Sequence, residues 1–275
     1  MNVSAITEVR KAAPYFEAGY KMIDISFCAT IYKDAIHDPI LDGDDWKMRM
    51  DELDKQLKGR GIRVNTTHLP YRYHYEDPSS ENYAYHYEMT RRSLIASERL
   101  GAKWAVVHAN TVEATMAHVK KLFADTGVKT VGLAIENMAK SPIEELIEAH
   151  DILLTEGYRV GICYDIGHCH MTLANDYDTT DMIYRLGERI CMLHLHDNCR
   201  NGDQHRVPYA GTIRWEDAMR ALKDIGFGGD FNYELDMRVI PKPLINAYVR
   251  YAYEVARYLV SVYESHAPAQ TEETV

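Results

Sequence analysis

The chain has 275 residues, 46% of them hydrophobic, so it can bury one large core or two small ones. Its formal charge is −10, and its basic residues are scattered, with pairs such as Arg91-Arg92 and Lys120-Lys121 inside helical patterns. That balance suits a small-molecule partner and is poorly fitted to gripping a nucleic-acid backbone. No run approaches eighteen consecutive apolar residues, so no helical membrane span is expected. The opening segment MNVSAITEVRKAAPYFEAGY lacks the apolar stretch of a signal peptide. Five cysteines without paired spacing point to reduced thiols and a cytoplasmic setting. Cys28, Cys163 and Cys191 lie in apolar runs and read as buried, inert thiols.

In chain order, a helix near 5–18 precedes a strand at 22–27 (MIDISF), a helix near 44–59 and a strand at 62–67 (IRVNTT). A helix near 81–100, a strand at 103–108 (KWAVVH), a helix near 112–126 and a strand at 130–136 (TVGLAIE) come next. Then follow a helix near 142–156, a strand at 159–165 (RVGICYD), a helix near 177–187 and a strand at 189–195 (RICMLHL). The series closes with a helix near 214–226, a strand at 230–236 (DFNYELD) and a helix at 244–263. Ser141 reads as a capping hydroxyl before Pro142 at the first helical position, with Glu144 and Glu145 in the first turn. Gly61, Gly101, Gly127, Gly157 and Gly226 stand where helices should stop.

Alternation of this kind means right-handed crossovers and a parallel sheet, as a barrel or a doubly wound sheet. No glycine-rich phosphate loop follows any strand, which disfavours the nucleotide-binding version. The expected fold is α/β, a (β/α)8 TIM barrel over residues 1–265, with a polar tail at 266–275. Seven strands are evident, so the first is short (residues 2–5) or missing.

Barrel enzymes carry their chemistry at the C-terminal ends of strands. Here those ends read His68, His108, Glu136, Asp165 with His168, His194 and Glu234. A lone strand-end histidine is usually structural, but six successive ends with metal-capable side chains point to a divalent-metal site. Glu136 follows the apolar run VGLAI and Glu234 sits within FNYEL, where a carboxylate without a cation would be costly to bury. A shell of imidazoles and carboxylates suits Mn²⁺, Zn²⁺, Co²⁺ or Fe²⁺, and Mg²⁺ less well.

The segments AIEN, CYDIGH, LHLHDN, DQHRVPYAGTIRW and NYELD, in this order, resemble the xylose-isomerase-like barrel superfamily, over about residues 15–260. That group holds sugar isomerases and epimerases, inosose-processing enzymes and endonuclease IV-like proteins. The resemblance implies one ion held by Glu136, Asp165, His194 and Glu234. Glu136 and Glu234 would also be the catalytic acid and base on opposite faces of a carbohydrate-like substrate, which His168 and Arg200 would contact. The reaction it implies is isomerisation or epimerisation of a sugar, polyol or keto compound through an enediolate.

A rival reading is a metal-dependent phosphodiesterase of the endonuclease IV type acting on abasic DNA. His68, His108, His168, Asp203 and His205 supply the extra donors that reading asks for. Gly167 stands where that branch usually has cysteine, GTIRW with Trp215 looks like the isomerase side, and Leu-Asp-Met follows Glu234 in place of threonine-proline. A metal-assisted dehydratase or lyase on a hydroxy-ketone, a non-catalytic binding protein and a homo-oligomer all remain compatible. The six tyrosines of LPYRYHYEDPSSENYAYHYE read equally as a lid and as a helix start, and His74 and His86 read as surface residues.

Overall fold

A computed structural model describes residues 1–8, 11–28, 37–71, 79, 81–139, 142–172 and 178–268. Among these, eight parallel strands form one sheet in the order β7-β6-β5-β4-β3-β2-β1-β8. They are β1 (Val3–Thr7), β2 (Met22–Ser26), β3 (Arg63–His68), β4 (Trp104–His108), β5 (Gly132–Glu136), β6 (Val160–Asp165), β7 (Ile190–His194) and β8 (Phe231–Tyr233). A parallel bridge between Leu195 and Tyr233 joins β7 to β8, so the barrel closes. Around it lie α1 (Ala13–Ala18), α2 (Trp46–Gly59), α3 (Tyr83–Arg99), α4 (Val112–Thr126) and α5 (Ile143–Thr155). These are followed by α6 (Ile166–Thr172), α7 (Thr179–Leu186), α8 (Trp215–Asp224) and α9 (Ile245–Ser265). No described helix is long and apolar enough to cross a membrane.

The first strand is neither missing nor confined to residues 2–5. Val3–Thr7 pairs with β2 on one side and β8 on the other. The helix expected near 5–18 therefore shrinks to Ala13–Ala18. The five-residue run VSAIT carries a serine, and its interior position hides the apolar signal of a buried strand. Pro142 also moves: it caps α5 in an extended conformation and Ile143 is the first helical residue, while Ser141 lies outside the described residues. The glycine stops hold, as at Gly127, whose left-handed backbone (φ 67°) turns its N–H back to the Phe123 carbonyl.

Side chains alternate across each strand, and this pleat sets the barrel interior. Four register pairs, Ser4–Asn232, Asp24–Thr66, Val106–Ala134 and Cys163–Met192, make one interior layer. Its β4–β7 arc is apolar. Its β8–β3 arc is polar: Ser4 donates to Asn232 at 2.9 Å, and the Asn232 amide donates to Asp24 at 3.0 Å. Below this layer Trp104 fills the floor over Gly132, where a Cβ would come within 2.4 Å of its ring. A cavity of about 640 Å³ opens at this lower end, lined by Asn2, Arg63, Trp104 and Asp230 among others, away from the strand ends that bear the donors. Above the layer, two residues on, come Ser26, His68, His108, Glu136, Asp165, His194 and Glu234. The interior strands are buried on both faces, and their outer side chains pack under the helices with Trp215, Leu222 and Leu259.

His86 corrects another expectation. It is buried on the inner face of α3, beside Met89, Thr90 and Ser93, and is not a surface residue. His74, Tyr73 and Tyr75 lie outside the described residues. Tyr83, Tyr85 and Tyr87 belong to α3, in line with the helical reading. Of the cysteines, Cys28 and Cys163 are buried, Cys191 is partly covered, and Cys199 is exposed. Burial pushes the Cys163 thiol up to about 12.

Asp197 organises the long loop between β7 and α8. It is fully buried, and its carboxylate accepts the Trp215 indole N–H and the Tyr209 N–H at 2.9 Å, with the Asn198 N–H at 2.8 Å. Its own backbone pairs antiparallel with Arg206. Trp215 is thus a structural anchor. Replacing Asp197 with alanine would strand the buried Trp215 and Asn198 donors at about 1–3 kcal/mol each and the partly buried Tyr209 N–H besides. We expect Asp197→Ala to lower unfolding free energy by more than about 3 kcal/mol in urea titrations. A loss below 1 kcal/mol would show that the loop holds without this carboxylate.

Candidate metal centre at the barrel mouth

Because β3 to β7 each end on a donor and Glu234 follows β8 directly, the pleat aims six donor-bearing positions into one mouth. Donor atoms of Glu136, Asp165, His194 and Glu234 all lie within 4.8 Å of one another. His194 Nδ1 sits 2.8 Å from Glu136 Oε1, 3.1 Å from Glu234 Oε2 and 3.9 Å from Asp165 Oδ2. A second group joins Glu136 to His68 and His108, whose Nε2 atoms stand 3.4 and 3.2 Å from Glu136 Oε2. A third comprises His168, His196, Asp203 and His205. The structure thus brings all nine sequence-predicted donors into one mouth. Arg200 is different: it is exposed at the rim, and its Nε lies 3.5 Å from His170 Nε2.

Local bonding sets the orientation of the rings. His68, His168 and His205 each give Nδ1–H to a backbone carbonyl, of Leu69, Asn137 and Glu234, at 2.8, 3.0 and 3.1 Å. Their Nε2 atoms are thereby left to face the carboxylates, which is how metal-binding histidines are usually held. Asn137 laces β5 to β6, donating to the Asp165 carbonyl at 2.9 Å and accepting the Asp165 N–H at 2.7 Å. Asp165 in turn accepts the His168 N–H at 2.7 Å, which starts α6.

His196 is the donor that the sequence reading missed. Its Nε2 is 3.1 Å from Asp165 Oδ1 and 3.7 Å from Asp203 Oδ1, and its ring stacks on His205 at 4.0 Å. The signal was present in period two: position 196 follows 194 on the same strand face. His196 also explains Gly167. A Cβ there would stand 2.0 Å from His196 Cε1, so the glycine makes room for the imidazole. Asp203 and His205 ride on a strained loop. Among the described residues, Arg200, His205 and Tyr209 are the non-glycine residues with positive φ, and all three lie in it.

The electrostatics are those of a cluster built for cations. Burial alone would raise the Glu136 carboxyl, but His194 and His108 hold it well below the ordinary carboxylate range. Burial lowers the His168 and His205 imidazoles, yet the surrounding carboxylates outweigh it and lift them to about 11 and about 9. Burial keeps His108 below its usual value. Glu136 Oε2, His194 Nε2 and His196 Nδ1 are buried without a hydrogen-bond partner. An orphaned carboxylate oxygen facing two imidazole nitrogens fits a divalent ion better than a shared proton. Tyr71 stacks on His108 at 4.6 Å and forms an aromatic wall beside the cluster.

A family model described as xylose isomerase-like TIM barrel matches residues 11–252. Uncharacterized protein y4fM of Sinorhizobium fredii is 24% identical over 166 residues, 54% of this chain and 52% of that protein. Uncharacterized protein MJ1311 of Methanocaldococcus jannaschii is 29% identical over 128 residues, 44% of this chain and 41% of that protein. The chain spans about half the length of the curated relatives it matches.

Among solved structures, a xylose isomerase domain protein from Alicyclobacillus acidocaldarius superposes with a TM-score of 0.71 at 15% identity, covering 96% of this chain and 100% of that one. The IolI protein with a bound zinc atom gives 0.69 at 16% identity, covering 98% and 100%. The 3-keto-D-glucoside 4-epimerase YcjR from E. coli gives 0.68 at 16% identity, covering 94% and 99%. At these identities the structures show the shared fold.

The Gly167–His196 contact can be tested directly. Gly167→Ala should destabilise the protein by about 1–3 kcal/mol, because overpacking forces His196 off its position. Gly202→Ala, with no atom within 4 Å of the added Cβ, is the control and should change little. Equal stability of the two variants in thermal unfolding would refute the contact.

Proposed function

This chain belongs to the xylose isomerase-like TIM barrel family, and on that basis we propose that it is a divalent-metal-dependent isomerase or epimerase of a sugar, polyol or related keto compound. The observation that carries this reading is the convergence of Glu136, Asp165, His194 and Glu234 on one point of the mouth. A bound Mn²⁺, Zn²⁺ or Co²⁺ would polarise a substrate carbonyl and acidify the neighbouring C–H. Glu136 and Glu234 come from strands three apart around the ring, so they can address different faces of a substrate carbon. One carboxylate takes the proton and the other returns it, which inverts or relocates the centre. Tyr71 supplies an apolar face for a sugar ring. Arg200 and His168 anchor hydroxyl or carbonyl oxygens.

A second reading has its own support. His68 and His108 share Glu136 with the Asp165, His194 and Glu234 group, while His168, His196, Asp203 and His205 form a separate group, and such a set also suits phosphodiester hydrolysis at abasic DNA. The acidic net charge and scattered basic residues weigh against it.

Glu136→Gln and Glu234→Gln should each lower proton exchange at the substrate carbon by about 10²–10⁴. Each variant keeps an oxygen donor, so metal affinity falls less than activity. Solvent-deuterium incorporation into a panel of ketoses, inososes and keto acids reads this out, and undiminished exchange in both variants would exclude the two-carboxylate scheme. An abasic duplex should bind weakly, with little salt dependence, and remain uncleaved. Cleavage at an enzymatic rate would install the phosphodiesterase reading in its place.

The pH dependence has a definite sign. Burial lowers the imidazole of the ligand His194, yet neighbouring Cys163, Glu136 and Glu234 lift it well above its ordinary value, so the ion-free protein holds it protonated. Zinc at that ring takes the place of a proton, so calorimetry in buffers of different ionisation heat should show net proton release, and affinity should rise with pH. Conversely, the charged pair that His205 makes stabilises the ion-free fold fully below the unfolded value near 6.5 and is lost as pH rises through about 9. Unfolding in chelator across that range checks the second half.

A further inference from the structure

We propose that Asp24 is a positioning residue for His194, receiving the Nε2–H of that imidazole from inside the barrel through one bridging water. The inference rests on the metal-centre reading and concerns how this chain holds one donor.

His68, His168 and His205 each anchor their second ring nitrogen to a carbonyl. His194 has no such anchor. Its Nδ1 faces Glu136 and Glu234, so its Nε2, on the opposite edge of the ring, points away from the mouth into the barrel. The residue is fully buried, and Nε2 has no hydrogen-bond partner. An imidazole that lends Nδ1 to an ion must carry its proton on Nε2, and a buried N–H calls for an acceptor.

The interior layer beneath offers one. Asp24 is fully buried on β2, and its Oδ2 takes the Asn232 amide while its Oδ1 has no partner. Its register partner Thr66 brings a buried hydroxyl close enough to act on the Asp24 carboxylate. Burial raises the Asp24 carboxyl, and His194 is foremost among the groups that oppose that rise. Asp24 Oδ1 and His194 Nε2, both without a partner, and the Thr66 hydroxyl beside them match the two to four partners that a buried water requires. The competing neighbour, Cys163, carries a neutral buried thiol, which is a weak acceptor.

The test uses full-length protein stripped of metal and titrated with zinc against a chromophoric chelator. Wild type is measured first. If it binds no zinc, the metal-centre reading falls and this inference with it. If it binds, Asp24→Leu should weaken zinc by about 10–100-fold, the usual effect of losing a residue that orients a ligand. Asp24→Asn keeps an acceptor oxygen and should restore most of the affinity. Wild-type affinity in Asp24→Leu, or equal losses in both variants, would overturn the inference while leaving the metal centre intact.

Nitrogen-15 spectra give an independent readout. In zinc-loaded wild type the His194 Nε2 proton should be visible and slow to exchange. It should shift in Asp24→Asn, a comparison that stands even if Asp24→Leu does not fold. An Nε2 proton unmoved between wild type and Asp24→Asn would also overturn the inference.

Discussion

Glu136 is a carboxylate removed from water at the centre of a ring of histidines, and the architecture of the mouth follows from keeping its charge compensated. Its side chain is 1% exposed, yet His194, His108 and His68 stand within 3.4 Å of its oxygens and His168 within 3.7 Å. An isolated carboxylate in such a place would take up a proton. This one remains ionised because strands β3, β4 and β7 end where their imidazoles can reach it. Asn137, the residue after Glu136, then ties the strand to β6, so the Asp165 donor is fixed by the same segment. Position, charge and connectivity are one arrangement here, since the last residue of each strand from β3 to β7 is both its terminus and its donor.

Much of this was legible in the amino-acid order. Strands rich in branched residues and closed by His, Glu or Asp announce themselves, and the ends of β3 to β7 fall on the predicted donors. What escaped has physical causes. The run VSAIT at β1 is short and half polar because its Ser4 faces a hydrophilic sector of the interior, so it lacks the continuous apolar stretch of a buried strand. His86 looked superficial because a histidine on a helix gives no local sign of which face it takes. His196 sits inside the LHLHDN segment, where its same-face relation to His194 shows only as a spacing of two. Gly167 could be understood only in three dimensions, because its neighbour in space is twenty-nine residues away in the chain.

The loop from 198 to 214 shows a division of labour. Asp197 and Asn198 give their polar groups to the backbone, the latter through its amide to the Gly167 carbonyl at 2.8 Å. Asp203 and His205 are presented by backbone in left-handed or tightly turned conformations, which the buried Asp197 carboxylate helps to sustain. The signature residues around Trp215 are thus scaffold, and the reactive donors are carried between them. Tuning the chemistry of such a mouth requires changing the passengers without loosening Asp197.

Cys199 lies in the same loop, one residue beyond Asn198. It is exposed, whereas Cys28, Cys163 and Cys169 are buried and Cys191 is partly covered. Its N–H is held by Gln204 at 2.8 Å, which ties it to the turn that leads into Asp203 and His205. The native sequence therefore contains a natural attachment point for a thiol-directed fluorophore. A dye there would sit at the edge of the mouth, close to Asp203 and His205, and would report on what enters the site without engineered cysteines.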